Sequence, residues 1–161
     1  MTSMITVPEP LQALRFKHLM TLKLDIAAVQ KISAPDAGTI IGVVSGGRFE
    51  GPQFEGRVLA GGSDWQRVLP DGSLRLDCRI VLETTQGELI AMTYQGVRSG
   101  SPEVLKRLAA GEAVGADEYY LRIAPCFETR SSEHDWLNRV VAVGAGHRLP
   151  DGPIYNVFEV L

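Results

Sequence analysis

The sequence predicts an all-β fold: a closed antiparallel β-barrel of about eight to ten strands with one short helix near residues 102–110. Three observations carry this. Apolar residues recur with period two in several short segments, as strands with one buried face require. Most of the 17 glycines and 9 prolines fall between those segments. A single stretch reads as helix. The 161 residues suit one domain, 1–161, and are too few for two. Closing the sheet removes its edges and favours the barrel; a β-sandwich is the alternative.

In chain order, Leu14, Phe16, His18, Met20, Leu22, Leu24 and Ile26 face one way, giving one long or bent strand. A second apolar segment, Gly38 to Val44, is expected to end in a turn at Ser45-Gly46-Gly47, and a third runs from Phe54 to Ala60. The clearest alternation sets Leu74, Leu76, Cys78, Ile80 and Leu82 against Arg75, Asp77, Arg79 and Glu83. Asp71-Gly72 precedes it and Gln86-Gly87 follows, so Ile90 to Val97 returns as the other half of a hairpin. The helix has Ser101 as N-cap, Pro102 at its first position, a stripe of Val104, Leu105 and Leu108, and Gly111 as its stop. Its size suits a plug across one end of the sheet. Glu118 to Phe127, Trp136 to Val143 and Ile154 to Leu161 supply the remaining strands.

Charge narrows the function. With 16 Lys plus Arg against 19 Asp plus Glu, the net charge of −3 argues against nucleic acid or an anionic membrane surface as partner. No apolar run approaches the roughly 18 residues of a membrane span. Cys78 and Cys126 read as reduced thiols; with no export signal visible, the expected location is the cytoplasm. His18, His134 and His147 have no metal-binding spacing, and neither glycine-rich stretch has the spacing of a phosphate loop, so no metal or cofactor is expected. There is no G-x-S-x-G elbow.

Several segments, in order along most of the chain, resemble a family of small bacterial and fungal proteins catalogued as domain of unknown function 3237. They are Gly47-Arg48-Phe49-Glu50-Gly51-Pro52, Val58 through Trp65, Leu76-Asp77-Cys78-Arg79, Tyr119-Tyr120-Leu121-Arg122, Pro125 through Thr129 and Trp136-Leu137-Asn138. The resemblance implies a closed antiparallel barrel and little chemistry. Two residues depart from the family pattern: Cys78 stands where a small residue such as Ala is expected, and Tyr120 where Phe is common.

Small barrels can hold one ligand inside, which makes a small apolar or aromatic molecule the expected partner. Asp64 is a candidate general base beside Trp65, an apolar wall; the alternative has Asp64 capping a turn and Trp65 in the core. Parity puts Tyr120, Arg122, Ala124, Cys126 and Glu128 on one face of their strand. If that face lines the cavity, Tyr120 is an acid or oxyanion donor, Arg122 a clamp for a carboxylate or phenolate, and Glu128 a base. Leu121 and Ile123 on the opposite face favour the inversion, with Arg122 in solvent. Trp136 and Asn138, two apart, would give a second wall and a polar orienting group; the alternative is a core Trp and an edge Asn closing a turn. His18 is either a satisfied core histidine or an acid/base group.

By elimination of cofactors, the expected function is a cofactor-independent lyase or isomerase using acid/base chemistry on a small oxygen-bearing compound. The alternatives are a non-catalytic binding barrel and a purely structural subunit. An apolar outer face would allow a homo-oligomer.

Overall fold

The computed structural model describes residues 4–33 and 37–161. Nine strands follow one another: β1 (Phe16–Lys31), β2 (Gly38–Glu50), β3 (Glu55–Val58), β4 (Gly62–Val68), β5 (Leu74–Thr84), β6 (Leu89–Ser99), β7 (Tyr120–Glu128), β8 (Ala142–Leu149) and β9 (Gly152–Val160). One helix, α1 (Pro102–Ala109), lies between β6 and β7. Antiparallel pairing runs β1-β2-β4-β5-β6-β7-β8-β9 and returns to β1, a closed barrel of eight strands. β3 stands outside that ring of eight. It pairs with the same two neighbours as β4, namely β2 and β5, further along their seam.

Alternation decides what is inside. Along β5 every second residue from Leu74 to Leu82 is buried and the intervening ones are largely exposed. Met20, Leu22 and Leu24 on β1 and Tyr155 and Val157 on β9 join them in one core. Helix α1 starts as its sequence predicts, with the Ser101 hydroxyl accepting the Val104 amide at 3.3 Å. Leu105 and Leu108 are buried, and Leu105 sits beside Gly72 and Gly100, so α1 plugs the end where β4 turns into β5.

Four sequence expectations are corrected. Ser45-Gly46-Gly47 is no turn: β2 runs straight through it, with Gly46 opposite Asp25 and Gly47 opposite Leu24. The glycine is needed because a Cβ at Gly47 (φ +142°) would meet the Lys23 carbonyl of the neighbouring strand. The segment from Gly62 to Val68 is a strand, so Asp64 caps no turn and Trp65 faces out of the core. Trp136 to Val143 is not one strand: Asp135–Arg139 forms a 3-10 turn, closed by the Leu137 amide on the His134 carbonyl, and β8 begins only at Ala142. Along β1, the single stripe from Leu14 is broken by a register shift between His18 and Met20, which leaves Leu14 and Phe16 exposed.

Candidate functional site

The barrel interior has two halves. Away from α1 it is hydrocarbon, with Phe49, Phe54, Val58, Ile80, Leu82, Ile90, Met92 and Leu137 buried together. Toward α1 the inward positions turn polar. Asp64 on β4 pairs with Cys78 on β5, which pairs with Tyr94 on β6, so three polar side chains form one row across the inner wall. Gln66 and Arg98 follow in phase nearer α1, and Tyr155 on β9 approaches from the opposite wall, its ring 5.4 Å from that of Tyr94. Gly146 makes this approach feasible, since a Cβ there would strike the Tyr155 ring.

Asp64 is 4% exposed. Its Oδ2 accepts the Gln66 Nε2 amide at 2.9 Å, while Oδ1 has no hydrogen-bond partner among the described residues. Burial pushes its pKa up to about 6, against the opposing effect of the Gln66 hydrogen bond. The Tyr94 hydroxyl and the Arg98 Nε are likewise buried without a partner. Burial holds both tyrosines well above the usual phenol range, with Asp64 adding to the effect. Burial, then the Asp64 charge, pushes the Cys78 thiol up to about 12, so it stays protonated and is no nucleophile at neutral pH. Each unpaired buried polar atom costs about 1–3 kcal/mol. Three of them, Asp64 Oδ1, the Tyr94 hydroxyl and the Arg98 Nε, lie in this one half of the interior.

The sequence-predicted residues are distributed differently from the expectation. Asp64 alone enters this interior. The conditional inward face of β7 is corrected: Leu121, Ile123 and Phe127 point in, so Tyr120, Arg122 and Glu128 point out. The inversion is driven by burying hydrocarbon in place of a guanidinium. Trp65 follows Asp64 on the strand and therefore faces out, 54% exposed. Trp65, Tyr120 and Arg122 are brought together on the outer wall, in a groove of about 740 Å³ that also holds Arg75, Asp77 and Gln95. There Arg122 lies over the Tyr120 ring at 4.8 Å.

Trp136 and Asn138 sit at the end remote from α1. Trp136 packs edge-on to Phe54, and Asn138 both accepts from and donates to the Thr129 backbone at 2.8 Å. His18 contacts Phe158 and Thr21. At the same end as Trp136, Ser131 donates to Glu88 at 2.6 Å and His134 Nδ1 donates to the other Glu88 oxygen at 2.7 Å. Serine and glutamate thus meet the same imidazole nitrogen, which is not a relay geometry. Glu88, Glu133 and His134 offer ligand atoms within 4.8 Å of one another, yet the His134 nitrogen nearest Glu88 is already used in that bond. The cluster fastens the β5–β6 turn to the loop before β8.

Sequence reasoning missed Tyr94, Arg98, Tyr155 and Gln66. The first two were legible by parity, since Ile90, Met92, Tyr94, Gly96 and Arg98 form one alternating stripe with the buried Ile90 and Met92. No helix among the described residues is long and apolar enough to cross a membrane.

Comparison with known proteins agrees with this architecture. The family model described as "Protein of unknown function (DUF3237)" matches residues 14–160. A UPF0311 protein of Rhodopseudomonas palustris is 32% identical over 152 residues, covering 92% of this chain and 97% of that protein. A solved beta-barrel like protein from Acinetobacter baumannii has a TM-score of 0.80 at 39% identity, covering 92% and 97% of the two chains. A solved conserved protein of unknown function from Rhodopseudomonas palustris reaches 0.88 at 30%, covering 92% and 99%. A Penicillium herquei structure described as an enzyme shares the fold, with a TM-score of 0.71 at 22% identity over 98% and 100% of the chains. A family match that runs from the start of the first strand region to the end of β9 makes this chain a member of the DUF3237 family.

Proposed function

We propose that the protein is a cofactor-independent acid/base enzyme, a lyase or isomerase, acting on a small apolar or aromatic oxygen-bearing compound in the α1 half of the barrel. The observation that carries this is Asp64: a carboxyl 4% exposed, with one oxygen unpaired and a pKa lifted to about 6. At neutral pH such a group is mostly ionised, and its conjugate acid is accessible, as a proton-transfer catalyst requires. Asp64 would take a proton from carbon next to a carbonyl. The C–H bond breaks, an O–H bond forms on the carboxylate, and the electron pair moves onto the carbonyl oxygen. The unpaired Tyr94 hydroxyl would stabilise that oxygen. In an isomerisation the electron pair returns and Asp64 gives the proton to a second carbon; in an elimination the pair returns to re-form the carbonyl, the bond from the next carbon to the leaving group breaks, and the departing group takes the proton from Asp64.

The test is solvent exchange. In D2O, a panel of aryl ketones, phenolic acids and terpenoid acids is followed by proton NMR with wild type and Asp64→Asn. Loss of a C–H signal with wild type alone supports the proposal. Binding of a panel member with no exchange by either protein supports a non-catalytic binding barrel. Neither binding nor exchange overturns both.

A further inference from the structure

We infer that the interior site takes an organic anion, a small carboxylate, whose charged end is held by Arg98 and Arg148 beneath α1. This inference rests on the barrel interior being the ligand site. Arg98 is the last inward residue of the β6 stripe, opposite Leu74 on one side and Leu121 on the other. Arg148, opposite Pro153, continues on β8 the inward parity of Gly144 and Gly146, whose missing side chains are filled by Ile123 and Tyr155. The two arginines therefore flank β7 from either side and reach into the same end of the barrel. Both are half-buried, and neither forms an ion pair with any described residue.

Two guanidiniums at one half-buried place repel each other and have lost part of their hydration. Burial, followed by the Arg148 charge, holds Arg98 below its usual range. The groups that face this pair are Asp64 on β4, Tyr155 on β9, and Tyr119 and His147 at the rim. The Tyr119 hydroxyl accepts the Arg148 amide at 2.7 Å and lies 2.9 Å from His147 Nδ1. Asp64 is the one carboxylate among these groups, and it lies beyond ion-pair distance of both arginines. One negative charge against two positive charges leaves the interior short of an anion. The Arg98 Nε, buried and unpartnered, is a directed N–H that a carboxylate oxygen can accept, and a planar guanidinium matches a carboxylate in two-point fashion.

The outer groove is the rival site. It carries Arg67, Arg75 and Arg122, but it is open to water and holds no buried unpartnered group. The interior pair is the stronger candidate because desolvation makes each missing charge contact matter more.

The experiment titrates benzoate, cinnamate and hexanoate against their neutral amides by calorimetry, with wild type, Arg148→Gln, Arg98→Gln and Arg98→Lys. The expected result is binding of at least one acid, weaker binding of its amide, and a loss of about tenfold or more in either glutamine variant. Arg98→Lys keeps the charge and retains part of the affinity, which separates charge loss from misfolding. Equal affinity for acid and amide, no binding of any acid, or unchanged acid affinity in folded Arg148→Gln would overturn the inference. Its failure is distinguishable from that of the proposed enzyme. Arginine-dependent acid binding with no exchange in D2O keeps the anion site and rejects the chemistry. Asp64-dependent exchange on neutral ketones, unaffected by Arg148→Gln, does the reverse.

Discussion

Asp64 is the carboxyl whose protonation the fold moves toward neutrality. Its carboxyl rises from 3.8 to about 6, so between those values the folded chain holds a proton that the unfolded chain has released. Asp64 therefore leaves stability intact below pH 3.8, lowers it progressively as pH rises toward 6, and keeps it lowered above. At 1.36 kcal/mol per pH unit the full effect is ~3 kcal/mol. Asp64→Asn is therefore expected to be more stable than wild type at pH 8 by a few kcal/mol, with the difference vanishing at pH 4, as urea denaturation would show. A mutant that is less stable at both values would mean the carboxylate is well solvated. Tyr94→Phe removes a buried hydroxyl that has no partner, so the variant should be more stable by about 1–3 kcal/mol while any turnover falls. A large loss of stability on this change would reveal a bond to that hydroxyl.

Among the elements, the ones whose signals are local could be read from the sequence. Ser101, Pro102 and Gly111 delimit α1 because capping chemistry is settled within a few residues, and Ser101→Ala should cost about 1 kcal/mol in thermal unfolding. The β5–β6 hairpin follows from alternation around Gln86-Gly87 for the same reason. Gly46-Gly47 was not legible as strand. Glycine promotes turns through its free φ and promotes close strand contact through its missing side chain, and only the neighbouring β1 reveals which applies. Gly47→Ala should destabilise by ~2 kcal/mol or more, because both the +142° φ and the Lys23 carbonyl oppose a Cβ. A neutral outcome would mean that β1 can withdraw there. Trp136 and Asn138 were expected on a strand because two-residue spacing suits a strand. Spacing alone could not reveal that Leu137 and His134 close a 3-10 turn.

On the scale of the whole molecule, the two ends of the barrel respond to acid in opposite directions. Glu88, at the end remote from α1, is held below the usual carboxylate range, first by the Ser131 hydrogen bond and then by His134. A lowered carboxyl stabilises the fold above its unfolded pKa and loses that contribution as pH falls through the folded one. Glu88→Gln should therefore lower the melting temperature at pH 7, and the gap should close in acid. A gap that is constant with pH would show that the Ser131 and His134 contacts do not depend on the charge. The all-β class and the one helix were determined by the sequence alone, because strand periodicity and helix capping are local properties repeated along the chain; the sequence favoured a closed barrel over a sandwich, and the pairing of β9 with β1 decided it. Asp64 could also be singled out there, as a carboxylate among glycines and apolar residues. Which face of β7 is interior, and hence that Arg122 points to solvent, was decided by the tertiary structure, as was the meeting of Arg148 on β8 with Arg98 on β6. Parity separates two faces of a strand but does not say which is inside; that is settled when all eight strands close and the face richer in hydrocarbon is the one removed from water.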